Sequence, residues 1–150
     1  DLENIILREK VMFGAFLSAI ALMNSGTGPA AAMSYPLGVN FGVAHGIGGG
    51  IFLPHVIEHN INSGFFGYGD LYKISGRDSK IEKAALFLGR LKQIWSKLEV
   101  PQDLREFGMS SEHINSFVVD TMDLKGALEQ NPILFYEDEI KLILKKLKIG

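Results

Sequence analysis

The chain has 150 residues and no cysteine, which fits one domain and excludes a disulfide framework, a zinc finger, an iron–sulfur cluster and a thiol nucleophile. Its net charge of -2 disfavours a general binder of nucleic acid or of an anionic membrane surface. The longest early apolar stretch, 11–23, is shorter than the roughly 20 residues of a membrane span. We therefore expect a soluble, cytoplasmic protein, with a signal peptide as the less favoured alternative.

The first part of the chain predicts three helices separated by glycine-containing breaks. Residues 1–23 keep apolar side chains at steps of three and four. The second half of this helix is apolar nearly all round, which is typical of a helix surrounded by protein. We expect Gly26 to cap it and a short helix, Ala30–Tyr35, to follow and to end near Pro36. A loop then leads into a third helix, about His45–Asn60.

Glycine is unusually dense in this region, because eight of the 17 glycines lie between Gly26 and Gly50. Four of them, at position 46 and at 48–50, fall inside the predicted third helix, where each costs up to about 1 kcal/mol relative to alanine. Such a cost is expected where another backbone or a ligand approaches closely. A phosphate loop is the weaker interpretation, since the run lacks Lys-Ser/Thr and no strand precedes it.

The second half of the chain predicts further helices and no strand. Asp70 is expected to cap a short turn, Leu71–Ile74, and the segment 76–79 ends in a capping serine. The other predicted elements are a helix Lys80–Leu98, one or two turns over Pro101–Gly108, a helix from Ser110 or Ser111 to about Met122, a turn at Asn131–Pro132 and a helix Glu137–Lys148. No alternating apolar run exceeds about four residues, so the predicted fold class is all-α.

Histidine and tyrosine are the candidate chemical groups. His45 stands at a predicted helix start, where an imidazole can point into a cleft as a ligand or catalytic group. His55 and His59 are spaced i, i+4 and share a helix face that could bind a metal, although two partly exposed histidines are the favoured interpretation. Tyr35 could supply an acid–base phenol, but an isolated tyrosine is usually structural.

The order and spacing of several motifs resemble one enzyme family. They are Asn24-Ser-Gly-Thr-Gly, Tyr35-Pro-Leu-Gly, Ala44-His-Gly, Leu53-Pro-His-Val with Asn60 behind it, and Val100-Pro-Gln-Asp-Leu-Arg-Glu-Phe-Gly. The most specific element is His-Gly, seven residues, then Pro-His-Val. Over nearly its whole length the chain resembles the iron-dependent (group III) alcohol dehydrogenases.

The resemblance implies one half of a two-part enzyme. Residues 1–150 would be the all-helical metal and substrate domain of the iron-containing alcohol dehydrogenase and dehydroquinate synthase-like fold, without the N-terminal NAD(P)-binding half. The implied reaction is hydride transfer between an alcohol, aldehyde or sugar and NAD or NADP, with the isolated half inactive. The implied assembly is a homodimer.

The same resemblance implies a divalent metal, Fe or Zn, held by two upstream ligands and two histidines of the helical half. The last ligand falls on His45, but the position fourteen residues earlier is Ala31, which cannot ligate. Tyr35 and His45 become the implied catalytic residues, and Ala31, Tyr35 and Phe41 the implied substrate pocket.

The substitution at Ala31 leaves several alternatives open. They are a three-ligand metal site completed by water, a Tyr35 phenolate ligand, and a branch in which Tyr35 and His45 handle the proton without metal. A further alternative is a non-catalytic binding or scaffold domain of the same fold with a decayed metal site.

Overall fold

The computed structural model describes residues 3–71 and 79–149. These residues form seven α-helices and three short 3₁₀ helices, with no β-strand, which confirms the all-α prediction. The α-helices are α1 (Ile5–Ser25), α2 (Pro29–Phe41), α3 (His45–Asn62), α4 (Lys80–Lys97), α5 (Ile114–Met122), α6 (Lys125–Leu128) and α7 (Glu137–Lys146). The 3₁₀ helices are Gly67–Leu71, Leu104–Phe107 and Ser111–His113. Leu71, the first residue of the predicted turn Leu71–Ile74, ends a 3₁₀ helix, and the rest of that turn and most of the segment 76–79 lie outside the described residues.

Local capping signals placed several helix ends correctly. Gly26 ends α1 with a φ of 72°, and its N–H bonds to the carbonyl of Leu22. Ser79 begins α4 by accepting a hydrogen bond from the N–H of Glu82. The acids of α7 lie in its first turn and its lysines in its last turn, which matches the helix dipole.

Two helix ends were predicted wrongly, and non-local contacts explain both. Helix α2 continues through Pro36 and ends only at Gly42, which has a left-handed φ of 69°. Pro36 is buried, so apolar packing offsets the backbone hydrogen bond that proline cannot donate. Helix α7 stops at Lys146 because Lys148 pairs with the segment at Asp103 in an isolated parallel bridge.

The hydrophobic core lies where α2 and α3 pack together and α5 and α7 cover them. Phe52 of α3 meets Phe117 of α5 with ring centroids 5.9 Å apart. Other fully buried side chains of this core are Met33, Leu37, Ile51, Leu104, Met109, Ile140, Ile143 and Leu144. The short helix α6, which sequence patterns did not indicate, adds the buried Leu128. The core thus fixes α2 against α3, the two helices that carry His45 and its neighbours.

Helix α1 stands apart from this core. None of its residues is buried, and Met12, Phe13 and Met23 are 69%, 59% and 88% exposed. The prediction that α1 is surrounded by protein is therefore wrong within the described chain. Arg8, Glu9 and Lys10 lie near the start of the helix, but its second half is apolar nearly all round and is exposed. Within the described part of the chain, no helix has the length and apolar character that a membrane crossing requires.

Glu58 links three helices and gives a pH-dependent stability. Partial burial would raise its pKa, but hydrogen bonds from Lys146 (2.6 Å) and Lys92 (2.5 Å) outweigh that effect and lower the pKa to about 2. Because the folded pKa lies below the usual 4.5, this stabilisation is present above pH 4.5 and is lost as the pH falls towards 2. We expect Glu58→Gln to cost about 1–2 kcal/mol at pH 7 and much less at pH 3, measured by urea unfolding.

The matched control for Glu58 is Glu137→Gln. Glu137 also accepts from a lysine, Lys141, but its side chain is 60% exposed, so its pair should be worth less than about 0.5 kcal/mol. Equal losses for the two variants at pH 7 would contradict the assigned role of Glu58.

The end of α4 contains a strained residue. Glu99 has a φ of 52°, and it follows the last turn in a Schellman motif, with Val100 N–H bonded to the carbonyl of Trp95. A side chain at this position costs about 1 kcal/mol, which glycine avoids. We expect Glu99→Gly to raise the urea midpoint and Glu99→Ala to leave it unchanged. An equal gain in both variants would mean that the glutamate side chain, and not its backbone angle, is unfavourable.

Candidate functional site

His45 is the first residue of α3, and its ring is held by a serine of α2. The Oγ of Ser34 lies 2.8 Å from Nδ1 of His45 and donates to the carbonyl of Ala31 at 2.7 Å. The hydroxyl of Ser34 has one proton, and it donates this proton in the hydrogen bond to the carbonyl of Ala31. Its oxygen is therefore the acceptor in the contact with His45, and Nδ1–H of His45 is the donor. We therefore assign the Nδ1–H tautomer to His45, which leaves its Nε2 as a free lone pair.

This contact depends on the close approach of α2 and α3 at Gly48. A Cβ at Gly48 would lie 3.0 Å from Cβ and 3.3 Å from Cα of Ser34, tighter than about nine in ten Cβ contacts in proteins. The glycine cost predicted from the sequence is thus explained here by the approach of another backbone. At Gly50 the carbonyl accepts a hydrogen bond from the indole N–H of Trp95, which ties α3 to α4.

His45 lies at a largely apolar groove with a cavity volume of about 470 Å³. Gly46 and Gly49 also line the groove, and a Cβ at either would meet no atom within 4 Å. The remaining lining residues are Leu22, Thr27, Gly28, Pro29, Ala30, Ala31, Leu53, Val56, Ile57, Tyr68 and Asn131. The volume is within the usual range of small-molecule sites.

A polar network that sequence reasoning missed forms part of the groove wall. The side-chain amides of Asn60 and Asn131 donate to each other, both at 2.8 Å, and Asn60 also donates to the hydroxyl of Tyr68 at 2.7 Å. Asn60 is fully buried, and the Tyr68 ring stacks on Phe87. Burial raises the pKa of Tyr68, so its hydroxyl stays protonated and can donate to a ligand. Asn60 and Asn131 are 71 residues apart, and no sequence signal pairs them.

The other residues named from the sequence lie around His45 at different distances. Ala31 lines the groove with its methyl group. The Tyr35 ring is tilted against His45 with centroids 5.0 Å apart, but it is half exposed and does not line the groove. Phe41 lies farther along α2, where its ring meets His113 edge-on at 5.2 Å, and it also does not line the groove.

His55 and His59 share a face of α3, but among the residues that the structure describes no third His, Cys, Asp or Glu joins them to form a possible metal site. Nε2 of His55 lies 3.3 Å from Oε1 of Gln102, and burial lowers the pKa of His55. Nδ1 of His55 and Nε2 of His59 are buried without a hydrogen-bond partner. Both residues are half-buried, which agrees with the interpretation of two partly exposed histidines.

A second groove, of about 540 Å³, shares no lining residue with the groove at His45. It contains His55 and Trp95 together with charged side chains of both signs: Lys92, Glu99, Asp103, Glu106 and Lys148. The two grooves therefore differ in polarity, and the one at His45 is the apolar one.

The metal implied by the resemblance does not fit the described residues by themselves. They contain no group of three or more His, Cys, Asp or Glu side chains that could hold a metal ion. His45 offers one nitrogen, and Ala31 presents a methyl group to the same groove. We therefore derive no chemical step through a metal.

Comparison with known proteins shows the family of the chain as a whole. The profile described as "Fe-containing alcohol dehydrogenase family, C-terminal" matches residues 1–148. The chain belongs to the Fe-containing alcohol dehydrogenase family. It is 26% identical over 141 residues to long-chain-alcohol dehydrogenase 1 of Geobacillus thermodenitrificans, covering 91% of this chain and 36% of that protein. It is 29% identical over 144 residues to 4-hydroxybutyrate dehydrogenase of Clostridium kluyveri, covering 93% and 38%.

The fold of this family member agrees with solved structures. An alcohol dehydrogenase from Oenococcus oeni matches with a TM-score of 0.74 and 22% identity, covering 87% of this chain and 35% of that one. The chain therefore spans little more than a third of the length of these relatives. The family and the all-helical C-terminal fold expected from the motifs are confirmed.

We expect Ser34→Ala to remove the preference of His45 for the Nδ1–H tautomer. Without the Oγ acceptor, Nδ1–H loses its partner, so the Nε2–H form should become populated, with about 1 kcal/mol of lost stability. Long-range ¹H–¹⁵N NMR of the imidazole nitrogens measures the tautomer directly. Ser116→Ala is the control, because Ser116 also donates to a backbone carbonyl three residues back, at 3.0 Å. A free Nδ1 on His45 in the unaltered chain would contradict the assignment.

Proposed function

We propose that this chain is the helical substrate-binding domain of an NAD(P)-dependent alcohol dehydrogenase, in which His45 exchanges the proton of the substrate hydroxyl. The observation that carries the proposal is the hydrogen bond between Ser34 and Nδ1 of His45, a residue that lines the groove, because Nε2 carries no proton in the tautomer assigned above. Nε2 is then a proton acceptor beside a cavity of small-molecule size.

The reaction would remove two hydrogens from an alcohol. NAD(P), held mainly by protein outside this chain, would supply the ring that accepts the hydride. His45 would take the hydroxyl proton on Nε2, so an aldehyde or ketone and a protonated imidazole result. Ser34 keeps the ring in place throughout, because its Oγ accepts the Nδ1–H in both charge states. Reduction of an aldehyde reverses these steps, with the imidazolium as the acid.

The exposed surface of α1 supports a role within a larger enzyme. An apolar surface such as that of the second half of α1 is typical of a segment that other protein covers. The relatives are about two and a half times as long as this chain, and the match is to the C-terminal part of the family. We therefore propose that the rest of the enzyme covers α1 and supplies the remaining walls of the substrate site at His45.

A non-catalytic binding or scaffold role is the second candidate. The observation that favours it is Ala31, whose methyl group stands where the family resemblance implies a ligand. This role predicts that the protein binds NAD(P) or an alcohol without converting either.

The deciding experiment uses the product of the complete natural gene, assayed by nicotinamide absorbance with primary alcohols and NAD or NADP. We expect turnover, and we expect His45→Gln to lower kcat about 100-fold or more, because a positioned general base contributes about 10²–10⁴. His113→Gln is the matched control: Nδ1 of His113 lies 2.8 Å from Ser110 Oγ, and His113 does not line the groove.

The outcomes separate the two candidates. Turnover that survives His45→Gln would remove His45 from the reaction. A complete protein that binds NAD(P) but oxidises no alcohol would support the scaffold role instead.

A further inference from the structure

The described wall of the groove at His45 carries no formal charge. Of the residues that line it, none is Asp, Glu, Lys or Arg. Most of the wall is hydrocarbon, from Leu22, Pro29, Ala30, Ala31, Leu53, Val56 and Ile57. The second groove of the molecule, in contrast, has five charged residues in its wall.

We infer that this groove accepts uncharged alcohols with an extended hydrocarbon chain, and that Gly49 provides the room for that chain. The inference rests on the proposed function, and it names the substrate class of that same site. It also assigns Gly49 as a residue that determines chain-length specificity.

The described wall contains no permanently cationic side chain that could neutralise a negatively charged substrate. A carboxylate or phosphate placed beside His45 would lose water and would meet no lysine or arginine of the described wall. The burial that raises the pKa of Tyr68 acts in the same direction, because this environment favours neutral groups. A single hydroxyl, in contrast, can donate to Nε2 of His45 while its hydrocarbon chain lies on the apolar wall.

The polar groups of the wall are also few. The two amides of Asn60 and Asn131 are engaged with each other, and Asn131 donates additionally to the carbonyl of Ile133. Besides His45, the hydroxyls of Thr27 and Tyr68 are the other polar side-chain groups of the described wall. A substrate with several hydroxyls would therefore place the remaining ones against apolar side chains without a partner, which costs free energy.

The glycines of α3 differ in the space that surrounds them. Gly48 is in tight contact with Ser34, but a Cβ at Gly49 would meet no atom within 4 Å. Gly49 lines the groove, so a side chain there would occupy space that the wall leaves open. Leucine at this position should shorten the space available to a substrate without touching the Ser34–His45 contact.

The test measures kcat/KM of the complete gene product for primary alcohols from ethanol to 1-octanol. Each methylene buried on the apolar wall should raise kcat/KM about fourfold until the groove is filled. Gly49→Leu should lower kcat/KM for 1-hexanol about tenfold or more and that for ethanol less than about threefold. In the same assay, 4-hydroxybutyrate should be used about 100-fold less well than 1-butanol, because its carboxylate lacks a partner.

The matched control is Gly89→Leu. Gly89 is likewise a glycine inside a helix, exposed on α4, with no atom within 4 Å of an added Cβ, and it lies outside the groove. Its chain-length profile should equal that of the unaltered enzyme.

Two results would overturn the inference while the proposed function stands: a flat chain-length profile, or a preference for 4-hydroxybutyrate or glycerol over 1-hexanol. If Gly49→Leu does not fold, these comparisons on the unaltered enzyme still decide. Failure to oxidise any alcohol with either nucleotide would instead overturn the proposed function, and the substrate class with it.

Discussion

The close approach of α2 and α3 is the constraint on which the rest of the site depends. At Gly48 the two helices come so near that a methyl group would crowd Ser34, and this distance lets Ser34 reach Nδ1 of His45. The same packing buries the core side chains of both helices, so the tautomer of His45 is coupled to the stability of the fold. A side chain at Gly48 would therefore disturb packing and chemistry together.

The glycines of α3 have two different roles, close packing and open space in the groove, and the sequence pattern alone does not tell them apart. Gly48 admits the backbone of α2, whereas a Cβ at Gly50 would make only an ordinary contact with the indole of Trp95 at 3.7 Å. Gly46 and Gly49 leave open space beside His45. Each glycine weakens the helix by up to about 1 kcal/mol, and burial between α2 and α3 offsets this cost. The helix is thus stable only within its tertiary context.

The molecule also divides into a self-contained core and an uncovered helix. Helices α2, α3, α5, α6 and α7 contribute buried side chains to one core, and Glu58 ties α3 to α4 and α7 through two lysines. The second half of helix α1 presents apolar side chains nearly all round, and the helix buries none of them. With relatives about two and a half times as long, this contrast favours a domain whose chemistry is completed by more protein than the chain contains. The proposal of a dehydrogenase domain agrees with that division.

The amino-acid sequence by itself determined the all-helical class, the caps at Gly26 and Ser79, the charge order of α7 and the family, because these depend on neighbours along the chain. It also singled out His45 and the absence of a ligand at Ala31. Only the tertiary structure decided that α2 passes through Pro36, that Ser34 orients His45, and that Tyr68 joins the paired amides of Asn60 and Asn131 at the groove. These features depend on burial and on hydrogen bonds between distant residues, whose free energy no local pattern records.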